Sequence, residues 1–446
     1  MAKQSSTNHK AQKTTAHGLT AISVRGFKSL YDECRLEIRP LTILAGANSS
    51  GKSSAMQPLL LLKQTLEASY DPGPLLLNGP NVRFTSTDQI FTRSKGKRIA
   101  DELVVRSEID ESFSLIHTYM ANAAKPLELV QMEYQTKAGG NFLFRPDMRP
   151  KKIQSEGFKE FFPTLSPEEK ELLEIRVVRN RCFLQHELQL KGSTLWGTSV
   201  SVHSEQFGTK FRGIIHVPGL RGNPERTYKT SAVGSAFLGT FENYTASIIH
   251  HWQNNHDTRL GGLNDSLKLL GLSGSVTAQR VNDTEVELQV GRLSNNGKNK
   301  AQDMVSIADV GFGVSQVLPV LVALLVAEPG QLVYLEQPEI HLHPRAQVAL
   351  AQIIAEAANR GVRVVAETHS ALLLLAVQTL VAESRITPDK VKLHWFQRGD
   401  DGMTKVTSTA LDASGAFGDW PEDFAEVALA AESRYLDFAE ARGRKK

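Results

Sequence analysis

Apolar and polar positions divide the chain into three textures. Up to residue 45, short apolar runs at Thr20–Val24, Arg35–Ile38 and Leu41–Ala45 are separated by turn residues, including Gly26-Phe27-Lys28, which predicts a hairpin or small sheet. A helical pattern covers Ser54–Leu66, and the Pro- and Gly-rich stretch Asp71–Pro80 reads as a loop. Between 101 and 146 the alternation has period two and predicts strands at Glu102–Arg106, Phe113–Tyr119, Leu127–Tyr134 and Asn141–Phe144. Residues 151–260 have a mostly helical composition, broken at His216–Gly219 and Gly222–Pro224. A strand pair at Val276–Arg280 and Glu285–Val290 and a polar loop, Ser294–Asp303, follow.

From 310 the pattern becomes α/β. Helical spacing at Val314–Ala327, Pro344–Ala358 and Ser370–Ala382 alternates with apolar strands at Gln331–Leu335 and Arg363–Ala366. Further strands are expected at Lys392–Gln397 and Lys405–Ser408, and a last helix after Pro421. The expected division is a disordered tail at 1–16, a first core part at 17–96, an insertion at 97–300 (a β subdomain, then a mostly helical one) and a second core part at 301–446.

Composition narrows this picture only slightly. With 446 residues, 41% hydrophobic and 22% charged, the chain has an ordinary soluble composition and room for two or three domains. A net charge of +3 gives no strong indication of nucleic acid. Cys34 and Cys182 form neither a metal spacing nor a disulfide framework, which suits a reducing cytoplasm. Runs such as Val320–Ala327 and Ala371–Val377 are far too short to span a bilayer, so no membrane partner is expected. The basic tail Ala441–Lys446 reads as a solvated terminus.

Candidate chemistry begins at Gly46-Ala47-Asn48-Ser49-Ser50-Gly51-Lys52-Ser53, which matches G-x-x-x-x-G-K-[ST] without a mismatch. It follows a strand-like run and opens a helical one, as a phosphate-binding loop requires. Gly46 and Gly51 let the backbone wrap phosphates, and the N–H groups of Asn48, Ser49, Ser50 and Ser54 lie at a helix N-terminus facing the anion. Lys52 can reach terminal phosphates and Ser53 can ligate Mg²⁺.

The second half supplies complementary groups. Leu332–Glu336 is an apolar strand ending in an acid able to hold Mg²⁺, and Gln337, Pro338 and Glu339 lead out of it. Gly311-Phe312-Gly313-Val314-Ser315-Gln316 precedes a helix and offers donors to an anion. Another strand ends in Glu367-Thr368-His369-Ser370, where His369 can bond a phosphate or the attacking water. His341 and His343 have no third metal ligand at sensible spacing, and His250-His251 reads as packing. Arg221 and Arg226 suit either phosphate binding or a structural loop.

Together, GANSSGKSS, VGFGVSQVLP, LVYLEQPEIHLHP and ETHS resemble, in order and spacing, the ATP-binding heads of the ABC/SMC superfamily. The nearer resemblance is to its bacterial OLD-type and RecF-like branch, often linked to phage defence. ISVRGFKSL resembles the branch's first strand, where Phe27 and Lys28 lie close to the nucleotide, and GDWPEDF at 418–424 resembles a Trp-Pro tail of one subgroup.

This resemblance implies an α/β P-loop NTPase head with a split core, binding ATP and Mg²⁺ through Ser53 and Glu336. It also implies a homodimer or higher homo-oligomer in which Gly313, Ser315 and Gln316 of one copy touch the ATP held by another. A separate effector, a nuclease or toxin, is the implied partner, because no clustered acids for a TOPRIM nuclease follow His369. Where such heads place a second acid as general base, this chain has Gln337, with Glu339 two residues on, so slow hydrolysis is expected. Two rival readings are a RecF-like DNA-end-binding ATPase, for which nucleic acid would be a partner, and the ATP subunit of a transporter.

Overall fold

The computed structural model describes residues 18–418 and 433–434, apart from 95–96, 111, 122–126, 138–139, 149–165, 167, 169–170, 193–195, 200–201 and 292–302. The expected disordered tail, nearly all of the polar loop at 294–303, the Trp-Pro segment after Gly418 and the last helix lie outside the described residues.

Strands β1 (Leu19–Arg25), β2 (Cys34–Glu37) and β3 (Leu41–Gly46) lead into helix α1 (Lys52–Glu67), close to the sequence expectation. After the two short strands β4 (Arg93–Ser94) and β5 (Lys97–Arg98) come β6 (Glu102–Ile109), β7 (Phe113–Met120), β8 (Glu128–Thr136) and β9 (Asn141–Phe144). They form an antiparallel sheet in the order β2-β1-β6-β7-β8-β9.

The helical expectation for 151–260 fails in its first part. Residues Leu173–Asn180 (β10), Phe183–Leu190 (β11) and Trp196–Ser199 (β12) form a three-stranded antiparallel sheet. The signal was present: Ile175 and Val177 are buried while Glu174 and Arg176, alternating with them, face outward, a period-two pattern that composition alone hides. Helix α2 (Val202–Arg212) follows and packs on α1.

Next come β13 (Ile215–Val217), β14 (Tyr228–Lys229), helices α3 (Thr245–Asn254) and α4 (Thr258–Leu269), then β15 (Val276–Arg280), β16 (Glu285–Gly291) and β17 (Met304–Ser306). The α/β alternation expected from 310 is realised as α5 (Phe312–Val326), β18 (Leu332–Glu336), α6 (Pro344–Asn359), β19 (Arg363–Thr368), α7 (Ala371–Ala382), β20 (Val391–Arg398) and β21 (Thr404–Thr409).

The central sheet runs β13-β18-β19-β3-β20-β21, parallel except for β21. Its inner strands β18, β19 and β3 are buried on both faces, which is why they read as near-continuous apolar runs, whereas the edge strand β21 has no buried residue. Ile43, Ala45, Val333, Leu335, Val364 and Leu393 face a core that includes residues of α3 to α7. Leu44, Tyr334, Val365 and Phe396 face a second core shared with α1 and the antiparallel sheet. Four strands from the stretch expected as an insertion pair with strands of the expected core: β5 with β4, β6 with β1, β13 with β18 and β16 with β17.

Three buried histidines make a stability prediction. Burial pulls the His117 imidazole down to about 3, and His186 and His394 to about 4. Each folded value lies below the ordinary one of 6.5. The unfolded chain therefore binds protons that the native state refuses as pH falls below 6.5. Stability drops from there towards pH 4, by up to about 1.4 kcal/mol per pH unit for each histidine. Denaturant midpoints measured from pH 7 to 4.5 should fall steeply; a flat profile would contradict the burial of these rings.

Candidate functional site

The phosphate loop sits at the carboxyl end of β3, between β19 and β20. Its two glycines are needed for shape. Gly46 has φ 144°, and a Cβ there would stand 2.2 Å from the carbonyl oxygen of Phe396. Gly51 caps α1 at φ 103°, where a Cβ would lie 2.5 Å from Thr404 Oγ1. That Thr404 hydroxyl donates to the Ser50 carbonyl at 2.7 Å and so pins the loop to the start of β21.

A cavity of about 820 Å³ opens above the loop. Of the expected residues, Lys28, Asn48, Ser49, Ser50, Gly51, Lys52, Ser53, Ser54, Gln337 and His369 line it. Lys28 extends over the Phe84 ring and donates to Gln57 Oε1 at 3.0 Å, and burial lowers its pKa. Lys52 Nζ, almost fully buried, donates to the carbonyls of Gly46 at 3.0 Å and Ala47 at 2.8 Å. Burial lowers the Lys52 pKa, against the opposing charges of Glu367 and Glu339. Ser50 Oγ is buried without a hydrogen-bond partner among the described residues, a donor left for an incoming anion.

His369 stands at the end of β19. Partial burial lowers its pKa, the Lys52 charge adds to this, and a hydrogen bond with the Gly46 backbone opposes it. The ring is therefore neutral at physiological pH and can accept as well as donate.

The acids are arranged differently from expectation. Glu336 and Glu367 are register partners at the ends of β18 and β19. Glu336 turns away from the loop: Oε1 meets His216 Nε2 at 3.1 Å and Oε2 accepts the Gly219 N–H at 3.1 Å. Burial pushes the Glu336 pKa up, but His216, the Gly219 N–H and the Arg221 charge outweigh it and hold the carboxyl below its usual range. Glu367, absent from the expected site, accepts from Ser53 Oγ and from Tyr334 OH, both at 2.9 Å, and lines the cavity. Burial raises its pKa, and the nearby Glu336 adds to that. These hard oxygen donors beside a phosphate loop fit Mg²⁺, which prefers one or two carboxylates completed by phosphate and water.

Glu339 is buried, and its Oε1 accepts from Thr368 Oγ1 at 2.5 Å and the His369 N–H at 3.1 Å. Its Oε2 has no partner among the described residues. Gln337 has φ 44°; its N–H donates to the Glu367 carbonyl at 2.8 Å.

Phe27 and the segment expected to meet the ATP of a second copy lie off this cavity. Phe27 is fully buried against Phe84, so its ring cannot stack on a base. Gly313, Ser315 and Gln316 do not line the cavity. Ser315 is partly buried and its hydroxyl donates to the Phe312 carbonyl at 3.1 Å, whereas Gln316 is buried and donates to the Gly222 carbonyl at 2.8 Å. Arg221 proves structural: Nη1 donates to the Gln316 carbonyl, and Nη2 to those of Glu336 and Gln337. Arg226 forms an exposed pair with Asp309. His343 caps α6 and His341 packs beside Phe312, and no cluster of three or more metal-ligating side chains occurs among the described residues. His250 and His251 meet the amides of Asn254 and Asn255 one helical turn on, in keeping with a packing role.

Residues 211–376 match a family model described as "AAA domain, putative AbiEii toxin, Type IV TA system". That is under half of the chain. No curated protein matches. Among solved structures, an Smc head bound to the C-winged helix domain of ScpA is similar at 14% identity and TM-score 0.44, covering 89% of this chain and 98% of that one. The Smc head domain with a coiled coil and joint from Pyrococcus yayanosii is similar at 11% and 0.45, over 90% and 98%. The SMC head domain of Thermotoga maritima gives 10% and 0.36, over 87% and 98%. The α/β P-loop NTPase architecture stands on the sheet order and the strand–loop–helix unit described above. No helix among the described residues is long and apolar enough to cross a membrane.

Proposed function

We propose that the protein is an ATP-binding switch that hydrolyses ATP slowly with Mg²⁺, closes as a homodimer or higher homo-oligomer around the nucleotide, and governs a separate effector in bacterial anti-phage defence. The observation that carries the nucleotide reading is the cavity over the loop, with Lys52, Ser53 and Glu367 converging on it. The match of residues 211–376 to an AAA-type family supports it. Slow turnover is supported by Gln337 on the cavity wall, where a carboxylate would serve as base.

A second copy is supported by the exposed segment at the start of α5. Gly311 is exposed and Phe312 is half exposed, apart from the chain's own cavity. The toxin–antitoxin wording of the matching family accords with action alongside another protein. Cytoplasmic location belongs to the same proposal, supported by two free, buried thiols.

Lys52→Ala should weaken ATP binding by about 10–100-fold, the worth of charge-assisted hydrogen bonds to phosphate. Calorimetric titration of ATP into both proteins tests this. No ATP binding by the wild type, or equal affinity in both, would sink the nucleotide reading. Loss of phage protection in the same variant should accompany the loss of binding.

A further inference from the structure

The buried acids around the loop divide into two groups with different partners. Glu336 spends both carboxylate oxygens on the other side, on His216 and the Gly219 N–H. His216 is itself braced, stacked at 5.4 Å on Tyr334 and meeting Asn81 Oδ1 through Nδ1 at 3.1 Å. Glu367 lies one strand nearer the loop, because β19 is inserted between β18 and β3. Its Oε1 accepts the Ser53 hydroxyl and its Oε2 the Tyr334 hydroxyl, so the side chain is fixed from two sides. Each oxygen keeps a further lone-pair direction, since a carboxylate can accept about four hydrogen bonds. Lys52 feels Glu367 as its first opposing charge.

Resting on the nucleotide reading above, we propose that Glu367 is the carboxylate that meets Mg²⁺ beside Ser53, directly or through water, and that Glu336 stands behind it as a held acid. Ser53 would offer the ion a hydroxyl lone pair while its O–H remains donated to Glu367. Tyr334 keeps the second oxygen from swinging into the cavity, and its ring ties the carboxylate to the His216 side of the network. The position follows from strand order. Only the strand adjacent to β3 brings an acid at its carboxyl end against the first turn of α1.

The test measures affinity for a fluorescent ATP analogue with Mg²⁺ and in EDTA, for the wild type, Glu367→Gln and Glu336→Gln. Glutamine keeps the size and most of the hydrogen bonds of glutamate, and the affinity in EDTA reports that the loop is intact. The expected result is that Glu367→Gln lowers the gain in affinity from Mg²⁺ by about 10–100-fold. Its affinity in EDTA is unchanged or higher, because a negative charge beside the phosphates is gone. Glu336→Gln keeps most of the gain. Mg²⁺ dependence retained in Glu367→Gln and lost in Glu336→Gln would overturn the assignment while leaving the nucleotide reading intact. A wild type that binds no analogue under either condition would overturn both.

Discussion

Replacing Gln337 by Glu is expected to raise steady-state ATP turnover by about 10²–10⁴-fold, the usual contribution of a positioned general base. Gln337 lines the cavity, and its backbone is fixed from both sides: the N–H donates to the Glu367 carbonyl and the carbonyl accepts from Arg221. An amide at that point can orient a water but cannot take its proton. Glutamate has nearly the same shape, so the change adds a base without moving the turn. Three acids, Glu336, Glu339 and Glu367, already crowd this edge. Their charges raise the pKa of the new carboxyl, which brings a glutamate closer to the working range of a base at neutral pH. Glu339 is the rival base: it is buried and held by Thr368 and the His369 N–H, with one oxygen left unpaired. If Gln337→Glu leaves the rate unchanged while Glu339→Gln abolishes it, the base is Glu339, and the wild type should then already exceed the median enzyme turnover of about 10 s⁻¹.

The loop was legible in the sequence because its chemistry is local. Eight consecutive residues between a strand and a helix fix which N–H groups and which side chains face the phosphate. The ends of β18 and β19 were legible for the same reason, as apolar runs closing on Glu336 and on Glu367-Thr368-His369. Which acid meets Ser53 was not legible, because it depends on β19 rather than β18 lying next to β3, a pairing between residues more than three hundred positions apart. Phe27 and Lys28 are neighbours in ISVRGFKSL, but only the fold shows that Lys28 lines the cavity while Phe27 packs in the core. The bond from Gln316 to the Gly222 carbonyl was not legible either, because that carbonyl belongs to a loop 94 residues earlier. Asn81 and His216 stand in no motif, and although Tyr334 lies within LVYLEQPEIHLHP, its bond to Glu367 appears only in the fold.

Arg221→Leu should destabilise the protein by about 3 kcal/mol or more and lower its ATP affinity together with its stability. The side chain is 8% exposed, and burial pulls its guanidinium down to about 10, so it remains a cation at neutral pH. It donates to three backbone carbonyls: Gln316 in the first turn of α5, and Glu336 and Gln337 where β18 ends. Leucine fills much of the volume but leaves those carbonyls with fewer donors, at about 1–3 kcal/mol for each one stranded without water. The neighbouring acids lose a compensating charge as well, since Arg221 feels Glu339, Glu242 and Glu336. A lysine can replace the charge but cannot fork to two elements at once, so Arg221→Lys should recover only part of the loss. Because one guanidinium spans both the α5 turn and the Gln337 turn, the two should loosen together. Hydrogen exchange of amides in 312–316 and 336–340 should rise in parallel in Arg221→Leu. Faster exchange confined to one segment would show that Arg221 braces that segment alone and does not join the two.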